Sequence, residues 1–201
     1  MPAPVGFDLD MTLIDSRRPI LAAFAAVAAQ TGVAIDPAAV DGRLGIKLED
    51  ELAYWFPASE IEAAIESYRS YYRRLAGPLT RALPGAAEAL AAVRAAGAPA
   101  VVITAKPEAT ARLSLDGVGL FADEVVGDVY GPQKAEVLTR LAAAVYVGDV
   151  PADMAAACSA GAHPVGVATG SFTADDLLAA GAAVVLASLA QFPALYAALR
   201  A

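Results

Sequence analysis

From Pro84 onward the chain alternates short apolar runs with stretches of helical period, and this rhythm restricts the fold more than any other feature. Ala100–Ile103, Glu124–Val126, Val145–Val147, Val165–Val167 and Val184–Leu186 read as strands. Pro84–Ala96, Pro107–Leu115, Gln133–Ala142, Pro151–Ala160 and Asp175–Ala180 read as the helices between them, with Gly97, Gly161 and Gly181 as stops and a last helix closing the chain. Short apolar strands joined through helices form a parallel sheet covered on both faces. Val5-Gly6-Phe7, near the other end of the chain, is a further strand of the same type.

The segment between behaves differently. Pro19–Gln30 is alanine-rich and helical, with Gly32 as its C-terminal stop, and Leu48–Phe56 and Ser59–Leu75 follow as helices. Ser59 and Glu62 have the spacing of a capping box. No strand signal occurs from Ser16 to Leu79. The expectation is an α/β protein: a Rossmann-like parallel sheet core flanked by helices, formed by residues 1–15 and 81–201, with a small α-helical cap of residues 16–80 inserted.

Composition removes several alternatives. Apolar residues are 58% of 201, but the excess is mostly alanine, and no run approaches the roughly 18–20 apolar residues of a membrane helix. The start, Met-Pro-Ala-Pro-Val-Gly-Phe-Asp, has neither the basic nor the apolar region of a signal segment. Cys158 is the single cysteine, so no internal disulfide forms, and a cytoplasmic setting is expected. A net charge of −8 without a Lys/Arg run argues against nucleic acid as a partner. One histidine rules out a His-rich zinc site.

In open parallel sheets, ligands bind beyond the carboxyl ends of the strands. Asp8 and Asp10 follow the first strand, Thr104 the second and Asp149 the strand at Val147, while Lys134 starts the helix after Val126. A two-residue spacing in extended backbone turns Asp8 and Asp10 to one side. At ~4 Å and an effective dielectric near 20 they would repel by about 4 kcal/mol, unless a proton or a cation intervenes. Asp153 adds a fourth carboxylate in Gly148-Asp149-Val150-Pro151-Ala152-Asp153. Oxygen donors without His or Cys suit a hard ion, and Mg²⁺ suits phosphate chemistry. Lys134 and Lys106 both stand near helix starts, where a positive charge opposes the helix dipole and a bound phosphate would reward it.

Phe7-Asp8-Leu9-Asp10-Met11-Thr12-Leu13-Ile14-Asp15-Ser16 resembles the first signature of the haloacid dehalogenase superfamily, Asp-x-Asp-x-Thr. Thr104, Lys134 and the Gly148–Asp153 segment resemble its second, third and fourth motifs, in order. The likeness is greatest to the phosphoglycolate-phosphatase-like branch, whose helical cap follows the first motif. Met11 stands where that branch usually has glycine, Ala105 where asparagine often follows the threonine, and Ala135-Glu136 follow Lys134 in place of the common proline.

The resemblance implies a Mg²⁺-dependent phosphomonoester hydrolase acting on a small phosphorylated metabolite. Asp8 attacks phosphorus, Asp10 serves as acid and then base, and Thr104 and Lys134 hold the phosphoryl oxygens. Mg²⁺ is held by Asp8, the Asp10 main-chain carbonyl and Asp149, with Asp153 supporting from behind. A phosphosugar mutase of β-phosphoglucomutase type shares nucleophile and acid and is the alternative; a non-catalytic binding protein of this fold would not need the intact set. Within Asp41–Lys47, Arg43 and Lys47 are candidates to read the substrate's leaving group, against the plainer reading that they pair with Glu49 or Asp50; Lys106 is a third candidate. Cys158 is expected to be packed and His163 structural. The set Tyr68, Arg69, Tyr71, Tyr72, Arg73 and Arg74 is expected on one solvated face of the cap helix, with some of its residues facing the site.

Overall fold

The computed structural model describes residues 2–200. The chain enters as β1 (Val5–Phe7), makes a tight turn into β2 (Ile14–Asp15), and runs through α1 (Arg17–Thr31), α2 (Pro37–Asp41), α3 (Leu48–Leu52) and α4 (Ile61–Leu79). It returns as β3 (Arg81–Ala82), which pairs antiparallel with β2, Ile14 opposite Ala82 and Asp15 opposite Arg81. The alternating half follows: α5 (Ala86–Ala95), β4 (Ala100–Ile103), α6 (Glu108–Gly117), β5 (Glu124–Val126), α7 (Pro132–Leu141), β6 (Val145–Gly148), α8 (Pro151–Ala160), β7 (His163–Val167), α9 (Ala174–Ala179), β8 (Val184–Leu186) and α10 (Phe192–Leu199).

Six strands form one parallel sheet in the order β5-β4-β1-β6-β7-β8. The order reverses beside β1, and at such a switch point the connections leave to opposite faces and open a crevice at the strand ends. Period-two alternation divides the two faces. Val102, Val145 and Val147 pack with α5, α6 and α10 through Leu90, Val93, Leu115 and Phe192. Val101, Ile103 and Tyr146 point the other way, against Val137, Leu138, Ala156 and Ala157 of α7 and α8. Gly6 is required on that second face, because a Cβ there would collide with the Tyr146 ring. The alanine excess is used in close helix packing; Ala86, Ala89, Ala111, Ala156 and Ala157 are all buried.

Helices α1 to α4 have a core of their own, built on Phe24, Val27, Val40, Leu52, Phe56 and Ala64. Two local expectations fail here. Ser59 makes no capping box: α4 starts at Ile61, with Glu60 at its N-cap and no side-chain cap bond. The stretch Leu48–Phe56 is helical only to Leu52 and then turns. By contrast Gly32 ends α1 in the left-handed conformation (φ 74°), and Thr173 with Asp176 caps α9 reciprocally. Among the described residues no helix is long and apolar enough to cross a membrane.

Candidate active site

Asp8 stands directly after β1, the central strand, with its carboxylate at the switch point. Asp149 stands directly after β6 alongside it, and Asp153 lies in the first turn of α8. One carboxylate oxygen from each of the three lies within 4.8 Å of the others. All three side chains are buried. Glycines permit this crowding: a Cβ at Gly148 would occupy the space of the Asp153 carboxylate, and one at Gly170 that of Asp149.

Lys134, near the start of α7, reaches into the cluster. Its Nζ donates to Asp8 Oδ1 at 2.9 Å and to Asp153 Oδ1 at 2.7 Å, and the side chain is only 4% exposed. Burial works against its ammonium, but Asp153 and Asp8 outweigh this and hold its pKa well above the usual lysine value. One lysine does not neutralise three carboxylates. Burial, opposed in part by Lys134 and reinforced by Asp153 and Asp10, pushes Asp8 up to about 7. Burial together with Asp8 and Asp153 lifts Asp149 well above the carboxylate range.

This donor set suits a hard divalent cation. It consists of oxygens only, it carries excess negative charge, and Asp153 Oδ2 is buried without a hydrogen-bond partner among the described residues. Such an ion would reverse the upward shifts at Asp8 and Asp149. Asp10 contributes no carboxylate oxygen to the cluster.

Instead Asp10 Oδ1 accepts from Lys106 Nζ at 2.6 Å, and the same ammonium donates to the Tyr72 hydroxyl of α4, also at 2.6 Å. Asp10, Lys106 and Tyr72 thus connect the sheet edge to the helical module. Burial opposes the Lys106 charge, yet Asp10 and Tyr72 raise its pKa. Thr104, at the end of β4, is buried; its Oγ1 accepts from Lys106 N–H at 3.2 Å, which leaves the hydroxyl proton for a group in the cavity it lines. The two lysines therefore divide the work, Lys134 against Asp8 and Lys106 against Asp10.

A cavity of about 470 Å³ lies over this edge, between the strand ends and α1–α4. Asp8, Asp10, Thr104, Lys106, Lys134 and Asp153 line it from one side, Arg43 and Lys47 from the other. Arg43 is not free: its Nε and Nη2 donate to both oxygens of the buried Glu51, at 2.8 and 2.7 Å, and its guanidinium lies over the Tyr54 ring at 4.3 Å. The partner is Glu51, not Glu49 or Asp50. Lys47 is exposed and lies 5.5 Å from the centre of the Tyr130 ring. The expected solvated face of α4 divides in two. Tyr72, buried, Tyr68, half-buried, and Arg69, exposed, line the cavity, while Arg73 and Arg74 are exposed and do not. Cys158 is exposed, not packed.

Several residues of the site carried no assigned role from sequence. Thr12 is fully buried and donates to Asp149 Oδ1 at 3.0 Å. The Tyr146 hydroxyl lies 3.0 Å from the Ile103 carbonyl and 3.3 Å from Asp153 Oδ1. The signal for Thr12 was its place in the first motif; for Tyr146, a polar aromatic between two valines of a buried strand. Met11 has φ 60°, a conformation that favours glycine, which accounts for glycine being usual there; its carbonyl accepts from the Thr169 hydroxyl.

The model of the haloacid dehalogenase-like hydrolase family matches residues 5–167. The chain is 30% identical over 200 residues to a Dickeya dadantii protein named "Probable phosphatase IndB", covering 90% of this chain and 87% of that one. It is 34% identical over 177 residues to a phosphoglycolate phosphatase of Xylella fastidiosa, covering 80% of this chain and 77% of the relative. Among solved structures, a haloacid dehalogenase-like family hydrolase from Streptococcus pneumoniae superposes with a TM-score of 0.83 at 25% identity, covering 99% of this chain and 98% of that chain.

Proposed function

We propose, from the premise that this chain belongs to the haloacid dehalogenase-like hydrolase family, that it is a Mg²⁺-dependent phosphatase that cleaves a small phosphorylated metabolite through an aspartyl-phosphate. The observation that carries the reading is the Lys134 ammonium held between Asp8 and Asp153, beside Asp149, at the floor of the cavity. A nucleophilic carboxylate, a fixed cation and a hard-ion site at one point are what phosphoryl transfer to an aspartate requires. The relatives named as phosphatases support the same reaction class.

In the first step an Asp8 oxygen bonds to phosphorus as the bond from phosphorus to the leaving oxygen breaks. Asp10 takes up a proton from solvent as it exchanges its contact with Lys106 for one with the substrate, and gives that proton to the leaving oxygen. Thr104 and Lys134 hold phosphoryl oxygens as charge shifts onto them. In the second step Asp10 takes a proton from water, whose oxygen attacks phosphorus and releases Asp8 and inorganic phosphate. Mg²⁺, held by Asp8, Asp149 and the Asp10 carbonyl with Asp153 alongside, would neutralise the phosphate and lower the repulsion between it and the attacking carboxylate.

Residues 16–80 act as the cap on this core. The paired strands β2 and β3, where the chain leaves and returns, are the place for a hinge. Closure excludes water and lets Tyr72 meet Lys106. A cytoplasmic setting agrees with the single cysteine.

Phosphate release from a panel of phosphomonoesters, with Mg²⁺ and in excess EDTA, tests the proposal. Release that depends on Mg²⁺ is expected. Full activity in EDTA would refute the metal assignment, no release from any ester would refute the phosphatase, and an isomerised sugar phosphate without free phosphate would replace it with a mutase.

A further inference from the structure

The walls of the cavity above Asp8 differ sharply from its floor. Met11, Ile20, Phe24, Leu44, Ile46 and Tyr68 supply an apolar surface. Met11 and Leu44 are buried, and with Ile46 they lie outside the apolar core clusters of the described residues. The loop that carries Leu44 and Ile46 is seated on the catalytic edge, because Gly45 (φ 103°) lies against Val150, the neighbour of Asp149.

The charges in these walls do not favour a second anion on the substrate. Arg43 is spent on Glu51 through two hydrogen bonds, and Arg69 lies 3.7 Å from Glu49. Three carboxylates, Glu49, Asp50 and Glu51, line the helical side of the cavity beside three cations, Arg43, Lys47 and Arg69, two of which are already paired. Lys47 alone of the three has no carboxylate within ion-pair distance among the described residues, and it is exposed to water, where its charge is screened. A phosphate with a two-carbon acid attached would leave most of a 470 Å³ space unfilled and meet no buried, unpaired cation on the helical side.

Building on the phosphatase reading above, we propose that the preferred substrate is a phosphomonoester of an uncharged alcohol with an apolar body, aromatic or branched aliphatic, and not phosphoglycolate. The phosphate sits on Lys134 and Thr104, the ester oxygen faces Asp10, and the apolar body packs against Met11, Leu44 and Ile46. Lys47 stands at the rim and reads no charge on the substrate.

The test uses the full-length Mg²⁺-loaded enzyme with benzyl phosphate and 2-phosphoglycolate. Both are esters of poorly acidic alcohols, so a difference reports recognition of the leaving group and not its acidity. The expected kcat/KM is at least about tenfold higher on benzyl phosphate, the discrimination an apolar wall supplies for one hydrocarbon group. Ile46→Lys should cut kcat/KM on benzyl phosphate severalfold and raise it on phosphoglycolate. Ile46→Ala, the milder change, should weaken only the former. Equal or better use of phosphoglycolate by the wild type would overturn the inference while leaving the phosphatase standing. Turnover of neither ester, or of any other, would overturn both.

Discussion

The floor and the roof of one cavity handle charge in opposite ways. On the floor, Asp8, Asp149 and Asp153 are buried around a single lysine, and burial, only partly offset by that lysine and reinforced by Asp153, pushes Asp8 up to about 7. In the roof, Arg43 and Glu51 meet through two hydrogen bonds, with Trp55 Nε1 donating a third to Glu51 at 2.9 Å, so the group is complete without a ligand. An unbalanced buried cluster is held ready for a cation and a phosphate; a balanced one holds a fold together. Cations that look alike in sequence, Lys134 and Arg43, therefore have different work.

The largest expected effect falls on the floor. Asp8→Asn should lower phosphate release by at least about 10⁴-fold while circular dichroism stays unchanged, since Lys134 keeps Asp153 as its partner. Substantial residual turnover in a folded variant would remove the covalent mechanism. Asp10→Asn separates two roles at the same edge. A loss of about 10²–10⁴-fold is expected on an alkyl phosphate and a much smaller one on p-nitrophenyl phosphate, whose leaving group hardly needs a proton; equal losses would contradict the acid assignment.

Without metal, the imbalance of the floor should make stability depend on pH. Asp8, at about 7, and Asp149, also raised, keep protons in the folded state that the unfolded chain releases above about pH 4. The native state binds more protons, so stability falls as pH rises from about 4 to 7. Lys134 stays charged across this window, its pKa being raised. A loss of order 2–4 kcal/mol, several degrees in Tm, is expected in EDTA between pH 5 and pH 8, with Mg²⁺ restoring it most at pH 8. A chelated protein that melts higher at pH 8 than at pH 5 would show that the cluster is not strained by charge.

The roof should respond to mutation in stability more than in chemistry. Arg43→Ala leaves the buried Glu51 without its cation and should destabilise by about 2–4 kcal/mol. Arg43→Ala together with Glu51→Leu should recover much of this. If Arg43→Ala instead raised KM with an unchanged Tm, the residue would be a substrate reader after all. The smallest effect belongs to the joint between the regions, where Thr80 Oγ1 is buried without a partner among the described residues. Thr80→Val should raise stability by up to about 1 kcal/mol in thermal melts.

Much of the floor could be read from the chain. Strand ends are local features, so an Asp after Val5-Gly6-Phe7 and another after Val145–Gly148 announce themselves wherever the strands end up, and the alternation of strand and helix sets the parallel sheet. Lys134 and Lys106 were both candidates, because a cation at a helix start is locally unfavourable. Which lysine meets which aspartate was not legible. Asp8 and Lys134 are 126 residues apart, Asp10 and Lys106 are 96, and only the strand order β4-β1-β6 brings them together. The same holds for Tyr72 on Lys106 and for Glu51, in place of its neighbours, on Arg43. Local preference is set by backbone geometry and neighbours in sequence. Partner choice among charged side chains is set by burial, which multiplies the strength of each contact and depends on the assembled fold.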